Sequence, residues 1–155
     1  MTGAHFGGID RALLLQAIKG DDLPVFKELL GGKDVNVADS FGNTYLHIAA
    51  LYNAPLIVSF LIVAGLDINA RDQIGATPLH IAALNSMPSA MAALLSGGAK
   101  PDVMDKDGHT ALHLAVRSPD CVRLLLAADA DPSAPRGVDG KTVLHLALLR
   151  GPMET

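Results

Sequence analysis

Apolar residues in this chain come in short stripes at helical spacing. Leu79, Ala82 and Ala83 fall at i, i+3 and i+4, the pattern of one buried face of a short helix. A second kind of stripe, Val58, Leu61 and Ile62, returns 33 residues later as Met91, Leu94 and Leu95. The punctuation fits. Threonine ahead of the first kind of helix offers an oxygen to a free backbone N–H, and Pro78, directly after Thr77, has its φ preset and needs no donor. Pro24, Pro55, Pro88 and Pro119 stand where second helices begin, and Gly65 and Gly98 where they end in a left-handed residue. Segments such as Asp67-Ile68-Asn69-Ala70-Arg71-Asp72-Gln73-Ile74-Gly75 have the content of a turn or hairpin. The pattern predicts pairs of short helices joined by polar turns.

The pairs repeat. Thr44-Tyr45-Leu46-His47-Ile48-Ala49-Ala50, Thr77-Pro78-Leu79-His80-Ile81-Ala82-Ala83, Thr110-Ala111-Leu112-His113-Leu114-Ala115-Val116 and Thr142-Val143-Leu144-His145-Leu146-Ala147-Leu148 align at spacings of 33, 33 and 32. Asp39, Asp72 and Asp105 keep the register, as do Gly42, Gly75, Gly108 and, one residue early, Gly140. These segments resemble ankyrin repeats, whose signature is a Thr-Pro-Leu-His-x-Ala box at a period of 33. The resemblance covers residues 9 to 150 and implies an all-α solenoid of helix-turn-helix units joined by β-hairpin or turn loops.

The single domain 1–155 then divides into a flexible 1–8, a degenerate N-terminal capping repeat 9–38, repeats 39–71, 72–104 and 105–136, and a truncated last repeat 137–155. Counting back 33 residues places Ala17 on Ala50, Val25 on Val58, Leu29 on Ile62, Asp34 on Asp67 and Asn36 on Asn69, with Arg11 and Leu14 in the Thr and His slots. A terminal repeat without an upstream neighbour is expected to be atypical. After Leu148 too few residues follow for a second helix, so the last apolar stripe is expected to self-associate or to continue into a longer chain. His113 to Ala130 spans 17 residues against 19 from His80 to Ala99, which predicts a shortened turn between the helices of that repeat and irregularity in the loop 131–136.

Composition narrows the chemistry. Half of the 155 residues are hydrophobic and 18% are charged, which excludes a disordered chain. The 12 Lys+Arg against 16 Asp+Glu leave −4 and no basic run, so nucleic acid is not an expected partner. No stretch has the length of a signal peptide or a membrane span; the most apolar, 55–66, is far too short. The single Cys121 fits a reducing compartment, so a cytoplasmic location is expected, with the nucleus open. Cys121 has Asp120 beside it and no cation in local reach, the setting of a small half-buried residue rather than a reactive thiolate.

His47, His80, His113 and His145 sit one per repeat, on helices expected to pack about 8–10 Å apart, too far to share a metal at about 2 Å. Each is instead expected to hydrogen-bond its own helix start in the manner of a capping box. The acids are single turn residues, or the Asp21-Asp22 pair before a helix, and no glycine-rich phosphate loop is present. No catalytic residue, metal site or cofactor is predicted.

The informative residues are those that the repeat does not need for packing. The resemblance implies a concave surface of hairpin tips and first helices that binds a protein partner. By slot, that surface takes Ser40, Phe41, Asn43, Leu51 and Tyr52, then Gln73, Ile74, Ala76, Leu84 and Asn85, then Lys106, Asp107, His109, Arg117 and Ser118, then Val138, Asp139 and Lys141. Phe41, Leu51, Tyr52, Ile74 and Leu84 are read as an apolar patch with aromatic anchors, unless Phe41 and Ile74 fold back over neighbouring hairpins. Lys106, Asp107 and Arg117 suit steering and register. The resemblance also implies a hydroxylation site at Asn69, beside the plainer role of a turn-stabilising side chain. The expected function is a non-enzymatic scaffold, adaptor or stoichiometric inhibitor. The alternatives are the ankyrin part of a larger enzyme or channel, and a self-associating protein.

Overall fold

The computed structural model describes residues 5–6, 9–137 and 139–149, with the side chains of 9–137 and 139–146. Val138 and the segments 1–4, 7–8 and 150–155, on which some of the expectations fall, lie outside the described residues. Helices alternate along the chain: α1 (Arg11–Lys19), α2 (Leu23–Leu30), α3 (Tyr45–Leu51), α4 (Pro55–Val63), α5 (Pro78–Leu84), α6 (Pro88–Ser96), α7 (Ala111–Leu114), α8 (Pro119–Ala127) and α9 (Val143–Leu149). Each first helix packs on the next first helix, and each second helix on the next second helix, as in the α3–α5 and α4–α6 contacts. The result is a helical solenoid. The only strands among the described residues are β1 (His5–Phe6) and β2 (Ile9–Asp10), an antiparallel pair that the repeat pattern does not anticipate.

The core runs as a ribbon through the stack. Leu46, Ala49 and Ala50 of α3, and Leu79, Ala82 and Ala83 of α5, are buried, as are Val58 and Leu61 of α4 and Met91 and Leu94 of α6. Alanine at the first-helix positions leaves no bulk between neighbouring backbones. The left-handed residues expected after α4 and α6 are present, Gly65 at φ 92° and Gly98 at φ 97°.

The N-terminal repeat departs from the counted register. Asp22 N donates to Ala17 O, as Ala54 N does to Ala49 O and Met87 N to Ala82 O, so the offset to the next repeat is 32 at this turn. Phe26, not Val25, therefore fills the Val58 slot; Phe26 is fully buried and Val25 is exposed. The Phe26 ring meets Tyr45 edge-on at 5.8 Å and Phe60 at 6.2 Å. Tyr45, in the slot that Pro78 occupies one repeat on, is itself fully buried, and burial pushes its phenol up to about 12.

The third full repeat is two residues short between His113 and Ala130, and the loss falls mainly in the first helix. α7 has four residues where α3 and α5 have seven. The turn before the second helix changes with it. Asp21, Asn53 and Ser86 are left-handed at φ 49°, 54° and 57°, whereas no residue between α7 and α8 is. Asp21 and Asn53 carry a second duty. α4 and α6 begin at Ala54 and Met87, whose side chains cannot cap. Their first N–H groups are satisfied from the preceding repeat: Leu56 N and Ile57 N donate to Asp21 at 3.0 Å each, and Ala90 N donates to Asn53 Oδ1 at 2.8 Å. α8 caps itself, with Cys121 N donating to Ser118 Oγ at 3.3 Å. Aspartate and asparagine suit the junction because they tolerate the left-handed backbone and offer an acceptor.

Asn53→Gly keeps that backbone and removes only the cap. It is expected to cost about 1 kcal/mol in urea denaturation. Asn53→Ala adds left-handed strain and is expected to cost about 2 kcal/mol.

Candidate functional site

The hairpins that carry the expected partner surface are built by one aspartate each. Asp39 Oδ1 accepts from Phe41 N and Asn43 N, Asp72 Oδ1 from Ile74 N and Ala76 N, and Asp105 Oδ1 from Asp107 N and His109 N, all at 2.9–3.0 Å. A single carboxylate oxygen thus folds five residues into a closed tip. The tips then stack through their backbones: Gln73 N donates to Phe41 O and Lys106 N to Ile74 O, both at 3.0 Å. At the next junction Gly137 N donates to Gly108 O instead, so the stack slips by one residue. A Cβ on Gly108 would come within 2.4 Å of Gly137 Cα. Glycine is required at position 108, where φ is also 76°, and Gly137 opposite it leaves little room for a side chain.

The in-phase histidines join the repeats. His47 Nδ1 accepts from Thr44 N at 3.1 Å while its Nε2 donates to Ala76 O of the next repeat at 2.9 Å. His80 does the same between Thr77 N and His109 O, and His113 between Thr110 N and Ala134 O. With Nδ1 accepting from an amide and Nε2 bonded to a carbonyl, the arrangement fixes the neutral imidazole with its proton on Nε2. Burial pushes His47, His80 and His113 below the usual imidazole range, outweighing the upward pull of the carbonyl bond on each and of Asp72 and Asp39 beside His47. His145 keeps the Thr142 N bond and is exposed.

These geometries decide where each expected contact residue lies. Phe41, Ile74 and Leu84 are 66%, 62% and 61% exposed, so the two tip residues do not fold back over their neighbours. Leu51, Lys106, Asp107 and Arg117 are also exposed, as are Ser40 and Asp139. Tyr52 is half-buried under Lys19 Nζ, 5.1 Å from its ring centre. Other polar side chains are partly engaged within the protein. Asn43 donates to Asp39 Oδ2, Gln73 to Ser40 O and Asn85 to Ile81 O. His109 is 3.5 Å from Asp105 and Lys141 is 3.5 Å from Asp139.

Two residues expected at the surface are not there. Ala76 is 3% exposed, because its carbonyl is the acceptor for His47 and draws it under the α3 helix. Ser118 is 9% exposed, because its hydroxyl caps α8. Asn69 is half-buried, and its Oδ1 accepts from Lys100 N of the following repeat at 2.9 Å, the bond that Asp102 repeats toward Asp131 N at 3.0 Å.

Two grooves run along the hairpins and first helices. One, about 330 Å³, brings Asn43, Leu51, Tyr52 and Asn85 together with Arg11, Leu15, Asp39, His47, Ile48, Asp72 and Ile81. The other gathers Leu84, His109 and Arg117 with His113, Leu114, Arg136 and Leu146. Sequence reasoning missed Arg11 and Leu15, which stand in a repeat that lacks the Thr-x-Leu-His box. It also missed Ile48, Ile81 and Leu114, whose large apolar side chains at the variable position of that box are the signal that could have found them. Asp105, Asp107 and His109 bring ligand-type atoms within 4.8 Å of one another. Asp105 Oδ1 is already held by two amide hydrogens, which ties this cluster to hairpin closure.

The model of ankyrin repeats (3 copies) matches residues 14–105 and 85–155, so the chain belongs to the ankyrin-repeat family. Members of that family are generally protein-interaction modules. No curated protein matches the sequence. No helix among the described residues is long and apolar enough to cross a membrane.

The histidine junctions make stability depend on pH. An unfolded imidazole titrates near 6.5, while the native one stays neutral to lower pH, so the stabilisation is fully present above about 6.5 and is lost as pH falls below it. Each pH unit is expected to cost about 1.4 kcal/mol for each of the buried His47 and His80 while it stays neutral in the native state. Urea midpoints measured between pH 7 and 5 check this. His80→Gln, which keeps a capping-box side chain, should flatten the slope.

Proposed function

We propose that this chain is a non-catalytic scaffold, adaptor or stoichiometric inhibitor that docks a protein partner along its concave face of hairpin tips and first helices. The observation that carries the reading is the exposure of Phe41, Ile74 and Leu84 at positions whose backbones are already fixed by the hairpin stack and helix ladder. Nothing in the fold needs large apolar side chains there. Phe41 and Ile74 could be polar without loss of a packing contact that holds the repeats together, and an exposed apolar strip with a polar rim is the composition of an interface core. The neighbouring groove adds Leu51, Tyr52, Ile48 and Ile81 as a floor, with Arg11, Asp39 and Asp72 at its edge. A rigid platform of this kind loses little conformational freedom on binding.

Tyr52, which lines the groove, and Phe41, exposed on the first hairpin tip, are the proposed anchors, large rings with few rotatable bonds. With a partner in hand, Phe41→Ala together with Tyr52→Ala should weaken binding by more than about 2 kcal/mol in calorimetry, while the urea midpoint falls far less. An unchanged dissociation constant removes these two residues from the site.

A further inference from the structure

Resting on that concave-face reading, we infer that the C-terminal groove is a receptor for an acidic side chain of the partner, seated on Arg117 with an aliphatic neighbour on Leu84, Leu114 and Leu146. The two grooves differ in charge. The N-terminal one is lined by Arg11 with Asp39 and Asp72, whereas the C-terminal one is lined by Arg117 and Arg136 with no carboxylate among its lining residues. Of those two cations only one is uncommitted. Arg136 is held by Asp139, with Nε donating to Oδ1 at 3.0 Å and Nη2 bonded to Oδ2, and its Nη1 faces His109 Nε2 at 3.5 Å. Arg117 is exposed and makes no hydrogen bond or ion pair with any described residue.

The shortened repeat puts it there. Loss of two residues ends α7 at Leu114, so that Arg117 stands in the turn directly before the α8 cap. Leu114 and Leu84 supply an apolar wall on which an aliphatic side chain can lie, and such a wall strengthens a charge pair beside it by lowering the local dielectric. The guanidinium fork matches a carboxylate in two-point geometry. The whole chain carries −4, so a general attraction for acidic partners is not what draws the segment in. The complementarity is local.

The test uses the full chain, immobilised and challenged with a phage-displayed library of random peptides. Selected peptides are expected to carry Asp or Glu beside Leu, Ile or Phe. A synthetic peptide of that kind should bind Arg117→Glu at least about tenfold more weakly, and its Glu→Lys version should regain affinity for the variant and not for the parent. Such reciprocal rescue is not produced by a merely structural role, and a matching circular dichroism spectrum shows that the variant folds. Acid-free selected peptides, or equal binding to Arg117→Glu, overturn the inference. Binding that is lost in Phe41→Ala/Tyr52→Ala yet unchanged in Arg117→Glu overturns it while leaving the concave face in place. Peptides indifferent to both sets of substitutions overturn the concave-face reading itself.

Discussion

Each junction between repeats rests on backbone groups that no single repeat can satisfy. The hairpins leave the carbonyls of Ala76 and His109, and the linker ahead of the last hairpin that of Ala134, pointing at the preceding first helix, and that helix leaves the threonine amides of its own start unpaired. One imidazole answers both, because a neutral ring has one acceptor and one donor on opposite sides. An unpaired buried carbonyl would cost about 1–3 kcal/mol, a large share of the net stability of a small domain. The histidines are therefore fixed by hydrogen bonding across repeats, and the hydrophobic ribbon stacks in a register that closes those bonds.

The same logic recurs at two further places along the chain. Turn residues Asp21 and Asn53 cap the second helix of the following repeat, and Asn69 and Asp102 hold the first amide of the following linker. At these places polar satisfaction is passed forward from repeat to repeat, while Gln73 reaches back to Ser40 O. Where the pattern breaks, at the short α7, the next helix supplies its own cap through Ser118 and the hairpin stack slips from Asp107 to Gly108. Local compensation of this kind keeps the third junction closed while changing the surface around Arg117.

Because the backbone is committed to these bonds, the tips and exposed helix faces are free to vary in chemistry. Phe41, Ile74 and Leu84 add little to the stack and much to the surface, and Arg117 adds charge without a partner among the described residues. A surface of this type separates stability from recognition. The residues that hold the solenoid are small, buried or hydrogen-bonded, and those proposed to bind are large, exposed or charged.

Period, helix pairing, the proline and glycine boundaries and the buried stripes were all legible in the residues, because spacing of 3.6 within helices and 33 between repeats is written directly into the order of apolar positions. The Thr/His capping pair was legible too, being local. What the sequence left open was every bond that crosses a junction: the far side of each imidazole, the duty of Asp21 and Asn53, and the burial of Ala76. Counting by a fixed period also misplaced Val25, since the cap repeat gains its missing residue only beyond α2, and the larger Phe26 takes the core slot. Grooves belong wholly to the tertiary structure. Arg11 and Leu15 reach the same pocket as Asp72 and Asn85 only once three repeats are stacked, and no local pattern records a distance between residues that far apart in the chain.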